Sequence, residues 1–385
     1  MTIVNATEKS PKDSSQSVFR RIVTYGIHET RTRNFLTELE RRGCSITEFS
    51  GHNPLRDLRN TLSFVKAVRT CDFVLTGTPF PWLLAWILLT KIAGRPCVVD
   101  CPMDLAAWPF PERLHVRWLV RLTLQSASFL LTIRSRQYLI EKFGLNKKRV
   151  LFLESCPDEK RVSAGLTGSP RFRRTPDEFV MCCSGGHEHH RLERFLPIFE
   201  QVIRLVPKAK LLVIADPSKP VALSALKLAE SGGLSRNIQL LPVIKPAEDF
   251  YATLAQCDLW IATLGDDTLQ GNHEFRMELL EVGLLGKAVM AAPTAGLLDN
   301  GLSEGQEILY IRPAEVGPSA MKIAAIANDR RKLSLLGKNL ESHVKRHFSL
   351  AEAVDRLLQL PQLHRSAKEE ARAPRPDAVN TTVGQ

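Results

Sequence analysis

The feature that most limits what this chain can fold into is an alternation that runs through it twice. Short strand-like runs at 21–25, 45–49, 72–76, 96–100, 129–132 and 150–153 alternate with helical stretches at 32–42, 55–69, 81–93 (strongly apolar) and 113–126. Gly26, Gly43, Gly77 and Gly94 punctuate the joins. The rhythm breaks at 155–178, where Pro157, Gly165, Gly168, Pro170 and Pro176 fall among charges and read as an interdomain linker. It restarts with strands expected at 179–183, 210–215, 238–241, 259–263, 288–292 and 307–311, and helices at 192–206, 221–231 and 250–256. Residues 318–361 read as helical. Such alternation of strand and helix implies mostly parallel sheets with helices on both faces. The fold class is therefore α/β, with two Rossmann-like domains. In such open sheets a ligand sits outside the carboxyl ends of the strands.

Composition agrees with two cores. The chain has 385 residues, more than one hydrophobic core usually organises, and is 44% hydrophobic and 24% charged. The apolar run 79–89 is followed by Lys91, too short to span a bilayer. The opening residues 1–17 have neither a basic start nor an apolar centre, so they read as a disordered tail and not a signal peptide. Residues 363–385, charged and Pro-bearing, read as a second tail. Eight cysteines are scattered without CxxC spacing, which predicts reduced, buried thiols and a cytoplasmic protein. The net charge of +11 is uneven: residues 1–175 hold 28 Lys and Arg against 15 Asp and Glu. A basic half points to an anionic partner. An inner-membrane surface or a phosphate-bearing acceptor fits, as does plain solvated surface. No nucleic-acid-binding motif accompanies the charge, and nucleic acid is not expected as a partner. Neither G-x-G-x-x-G nor a P-loop occurs.

Chemistry concentrates in 271–296, GNHEFRMELLEVGLLGKAVMAAPTAG. Met277, Leu280 and Leu284 share one helical face, Gly286 stops the helix, and 288–292 is a strand buried on both faces. Glu274, Glu278 and Glu281 lie along this helix as ligands or as solvated surface.

This helix, Gly-Lys break and strand resemble the C-terminal signature of retaining GT-B glycosyltransferases of family 4. In that signature a Glu opens the helix, a second Glu lies eight positions on, and a Gly-Lys/Arg-Pro-Val strand and a Gly turn follow. Glu281, Gly286, Lys287 and Val289 hold their places, and Ala288 stands for Pro. His273 falls on the first acidic position, with Glu274 beside it. The resemblance implies that Glu281 accepts hydrogen bonds from the donor's ribose. It also implies that His273 or Glu274 meets the sugar and that Gly296 belongs to the turn lining the site. Residues 179–210 resemble the start of the second domain, whose glycine loop carries an Arg, with a Lys soon after. Gly186 occupies the Arg position here and Arg191 the approximate Lys position. Backbone N–H groups at Ser184, Gly185 and Gly186 can still cradle a diphosphate, with Arg191 or Arg194 adding charge. His187, His189 and His190 lack the spacing of a metal set, and the family type needs no metal or other cofactor.

In the first half, Tyr25-Gly26 with Arg31, Arg33 and Asn34 resembles a family subset, and 83–104 matches its apolar helix and strand. A polar residue after that strand faces the sugar in relatives, which makes Asp100 and Asp104 candidates. Asp100 serves equally as a strand-end cap. Residues 343–360 resemble the closing helix that crosses back to the first domain. The expected organisation is an acceptor domain at 18–160, a linker at 161–178, a nucleotide-sugar domain at 179–345 and a crossing helix at 346–362. The function implied is transfer from a nucleotide-diphosphate sugar to a sugar, lipid-linked or small-molecule acceptor, with Glu274 and Asp104 as catalytic candidates. The departures at Gly186 and His273 leave two alternatives, a degenerate binding domain and a nucleotide-sugar epimerase.

Overall fold

A computed structural model describes residues 20–25, 30–49, 58–77, 83–101, 114–132, 143–153, 156–184, 192–218, 222–223, 227, 230–262, 264 and 277–360. The first sheet contains β1 (Arg21–Tyr25), β2 (Ser45–Phe49), β3 (Phe73–Thr76), β4 (Cys97–Cys101), β5 (Phe129–Thr132) and β6 (Val150–Phe152), in the order β2-β1-β3-β4-β5-β6. All of its pairings are parallel. Its helices are α1 (Thr30–Arg41), α2 (Leu58–Thr70), α3 (Leu83–Ile92) and α4 (Leu114–Ser126). The chain steps outward from β1 to β2, then returns across β1 to β3. Right-handed crossovers therefore set α1 on one face and α2, α3 and α4 on the other. The core divides accordingly. Phe64, Val68, Trp86, Ile87, Val120 and Leu124 cover one face, and Phe35, Leu36 and Leu39 the other.

After β6 comes α5 (Glu159–Gly165), then the second sheet, β7 (Phe179–Ser184), β8 (Ala209–Ile214), β9 (Ile238–Leu241), β10 (Leu259–Ile261), β11 (Ala288–Ala291) and β12 (Leu309–Tyr310). Its order is β12-β11-β10-β7-β8-β9, again parallel throughout. The helices around it are α6 (Leu192–Leu205), α7 (Ala247–Ala255), α8 (Met277–Leu284), α9 (Ala295–Asp299), α10 (Val316–Asn328) and α11 (Arg330–His347), and α12 (Leu350–Leu358) closes the described chain. The two-domain α/β class read from the alternation is what the chain adopts. Among the described residues no helix is long and apolar enough to cross a membrane. All eight cysteines are free and buried.

Two segments differ from their sequence reading. The stretch read as a linker contains α5 and is fixed to the second domain. Ser169 N donates to Asp249 Oδ1 (2.9 Å), Arg171 N donates to Thr253 Oγ1 (2.9 Å), and the Arg174 guanidinium pairs with Asp258. The closing helix is interrupted. α11 ends at His347, and α12 starts afresh with the Ser349 side chain accepting from Glu352 N. α12 then lays Leu350, Ala353, Val354 and Leu357 into the core beside Phe35 and Leu39 of α1, so the end of the described chain does return to the first sheet. Arg42, just after α1, fixes it there by pairing with Asp355 and donating to the Ala351 carbonyl.

Candidate functional site

In the second sheet the direction of winding reverses between β7 and β10, and this is where an open parallel sheet offers its ligand crevice. Several candidate residues follow these two strands in the chain. The chain leaves β7 at Ser184 just before Gly185 and Gly186, and Arg191 directly precedes α6. It leaves β10 at Ile261, and His273 and Glu274 come shortly before α8. Gly185, Gly186, Arg191, His273 and Glu274 lie outside the described residues, as do Asp104 and residues 187–190. Gly296, buried, follows β11 in the first turn of α9, where the Thr294 side chain accepts from Leu297 N. Arg194 is half-buried in the first turn of α6, at the positive end of that helix. Strands β7, β10 and β11 are parallel neighbours, so their carboxyl ends lie side by side at one edge of the sheet.

Glu281 is described in full. Leu279, Leu280, Val282 and Gly283 bury α8 on most of its circumference, and Glu281 is buried with them, 7% exposed. α8 is enclosed because α11 crosses it closely: a Cβ on Gly283 would lie 3.0 Å from Leu340 and Val344. The Glu281 carboxylate accepts a hydrogen bond from Tyr251 of α7, Oη to Oε1 2.9 Å. Burial pushes its pKa up to about 7, and the neighbouring charges of Glu278 and Asp158 act in the same direction; the Tyr251 bond and the Arg161 guanidinium oppose them. Burial therefore holds this carboxyl's proton to higher pH than a surface glutamate would keep it. Glu278, one turn earlier, is only half-buried.

Tyr251 and Arg161 are the residues that sequence reading missed. Arg161, in α5, lies over the Tyr251 ring with Cζ 5.9 Å from its centroid. Asp158, the N-cap of α5, accepts from Arg161 N and takes both ends of the Arg41 guanidinium, at 2.8 and 3.0 Å. A chain of polar contacts thus runs from α1 of the first domain through α5 to the carboxylate in α8. A buried tyrosine needs a partner for its hydroxyl, and that requirement was the available signal for Tyr251.

The first-half candidates are engaged structurally. Asp100 is fully buried in β4 and accepts from Thr32 Oγ1 of α1 at 2.8 Å. Asn34 donates to the Cys156 carbonyl at 3.1 Å, and Arg33 pairs with Glu48 at 2.5 Å. Among the described residues no group of three or more His, Cys, Asp or Glu is placed to hold a metal ion.

Two six-stranded parallel sheets, joined by a helical segment and closed by a C-terminal helix returning to the first, make up the GT-B architecture. No family model matches the chain, and no curated protein sequence matches it. Solved structures do. The protein is similar to Anabaena Alr3699/HepE in complex with UDP and glucose, at 14% identity and TM-score 0.65, covering 92% of this chain and 100% of that one. It is similar to a glycosyltransferase from Rickettsia africae at 13% identity and TM-score 0.63, covering 90% and 99%. Sucrose-phosphate synthase from Thermosynechococcus elongatus aligns at 13% identity and TM-score 0.59, covering 92% and 100%. At such identities the likeness is one of fold, and the fold is GT-B.

Proposed function

We propose that this protein transfers a sugar from a nucleotide-diphosphate sugar to an acceptor, with the second domain holding the nucleotide. The observation that carries the reading is Glu281, a buried carboxylate in the helix after β10, at the sheet's point of reversal and in register with the ribose-binding glutamate of the resembled family. The ribose hydroxyls donate to its carboxylate. The Ser184–Gly185–Gly186 backbone, the N-terminus of α6 and Arg191 or Arg194 neutralise the diphosphate. As the glycosidic bond lengthens, negative charge grows on the departing diphosphate, and fixed N–H dipoles and guanidinium groups stabilise it there. Enclosure between the domains excludes water and suppresses hydrolysis. The resemblance assigns the donor sugar to His273 or Glu274, with Asp104 as the candidate from the first domain. No side chain is assigned as a covalent nucleophile, no metal is required, and retention of configuration follows the resembled family. HepE and the pneumococcal O-GlcNAc transferase GtfA, both solved with UDP and a sugar, support a nucleotide sugar as the donor class.

The test is a panel of nucleotide sugars against the full chain, read by thermal unfolding and calorimetry. At least one donor should raise the unfolding midpoint. Glu281→Ala should weaken it by roughly 10–100-fold, the loss of a hydrogen bond to a charged group, and Glu278→Ala should leave it nearly unchanged. Equal effects remove the ribose assignment. Binding without turnover assigns the chain to the degenerate class to which Gly186 and His273 belong.

A further inference from the structure

On the first sheet, α2, α3 and α4 form one layer with α3 in the middle, packed against both neighbours. Their inward residues fill the core; their outward residues do not resemble an ordinary solvated surface. On α3 the outward stripe is Leu88, Lys91 and Ile92, with Ile92 83% and Leu88 44% exposed. On α4 Trp118 is 64% exposed, and on α2 Leu62 is 64% exposed. The neighbours of these apolar groups along each stripe are cations: Arg59, Lys66 and Arg69 on α2, and Arg121 on α4, all exposed. The three helices, 13, 10 and 13 residues long, contain no Asp or Glu. The opposite face is built differently. There α1 and α12 carry Glu38, Glu40, Glu352 and Asp355 among their cations, and Arg41 and Arg42 pair with Glu38 and Asp355.

We infer that the outward face of α2, α3 and α4 docks on a lipid bilayer bearing anionic headgroups. Cations interleaved with large apolar side chains match both layers of such an interface. Lys and Arg meet the headgroup phosphates, and Ile92, Leu88, Leu62 and Trp118 enter the boundary with the acyl chains, where the amphipathic indole is at home. The charge argues against other occupants. A second copy seated symmetrically on this face would oppose cations with cations. A nucleic-acid backbone would take the charge but leave three aliphatic side chains in water. Large exposed apolar patches otherwise carry a cost in solubility.

The test uses the full chain and no sugar substrate, so its failure leaves the transferase reading standing. Protein is sedimented with vesicles of phosphatidylcholine alone, or of phosphatidylcholine with phosphatidylglycerol as the minor lipid. Binding is expected only to the second kind, weakening as salt is raised. The double substitution Ile92→Ser with Trp118→Ser should lower partitioning about tenfold, and Lys66→Glu with Lys91→Glu should lower it at least as far. Both double variants should keep the parent unfolding midpoint. Arg312→Glu, an exposed cation of the second domain, should bind as the parent does. Equal binding to both vesicle types, no binding, or double variants that sediment like the parent would overturn the inference. So would a concentration-dependent dimer abolished by Ile92→Ser with Trp118→Ser, which would give this face to a second copy.

Discussion

Tyr251 holds Glu281 by one hydrogen bond of 2.9 Å, and the two residues lie on different helices, α7 and α8. The tyrosine is itself fixed from behind by α5, whose Gly165 packs against its ring. The carboxylate is thus positioned by a three-helix junction that also receives, through Asp158, a guanidinium from the first domain. Anything that moves α5 also moves the group proposed to grip the ribose.

Burial of Glu281 ties stability to pH. Burial raises its carboxyl pKa to about 7 in the folded chain, against 4.5 for a solvated glutamate. Between those values the folded chain retains a proton that the unfolded chain has lost. The protonated group's contribution is therefore complete at acid pH, declines as pH rises through this window, and is flat above it, an effect of about 3 kcal/mol. Glu281→Gln should have no such slope. Urea unfolding from about pH 4 to about pH 8 should show the variant gaining on the parent by that amount. Parallel curves would mean that Glu281 is ionised throughout.

The same titration should appear in ligand binding. A ribose hydroxyl donates more strongly to a carboxylate than to a carboxylic acid, and the diphosphate of a nucleotide sugar does not titrate near neutrality. Affinity for the donor should rise about tenfold as pH passes upward through about 7. Calorimetry on Glu281→Gln should give a flat profile; a slope that persists in the variant would place the titrating group elsewhere.

Gly165 supplies a third test. A Cβ there would lie 2.4 Å from Tyr251 Cδ2, so Gly165→Ala should cost about 1–3 kcal/mol by overpacking. Made in a Tyr251→Leu background, the same substitution should cost clearly less, because the obstructing ring is gone and the two sites are in contact. Identical costs in both backgrounds would show that the ring is not the obstacle.

The architecture was legible because parallel strands covered on both faces must be apolar along their length, and the helices between them must be amphipathic. Glu281 was singled out by the resemblance to the family 4 signature, through its place ahead of Gly286. The region around it was not, and Gly165 and Gly168 show why. Among Pro157, Pro170 and Pro176 they read as linker, yet each is a glycine because another element passes too close for a side chain. A Cβ on Gly168 would sit 2.4 Å from the Glu248 backbone. Sequence shows the glycine but not the neighbour that requires it. Tyr251 is likewise thirty positions from its partner, and no local period records that contact. The break between α11 and α12 contains neither Pro nor Gly; Ser349 alone marks it, as an N-cap.

The joint between α8 and β11 separates two demands on glycine. Gly286 ends α8 at φ +65°, a conformation costing about 1–2 kcal/mol for a residue with a side chain. A Cβ there would meet only the flexible tip of Glu341, at 3.2 Å. Gly337 of α11 has no such backbone requirement, but a Cβ on it would lie 2.0 Å from the Gly286 carbonyl oxygen. Neither a backbone carbonyl nor an eighteen-residue helix can give way as a side-chain tip can. Gly337→Ala should therefore destabilise by about 3 kcal/mol or more, and Gly286→Ala by less than half of that, both read by urea unfolding. If the order is reversed, the conformation of Gly286, and not the crossing of α11 over it, fixes this joint.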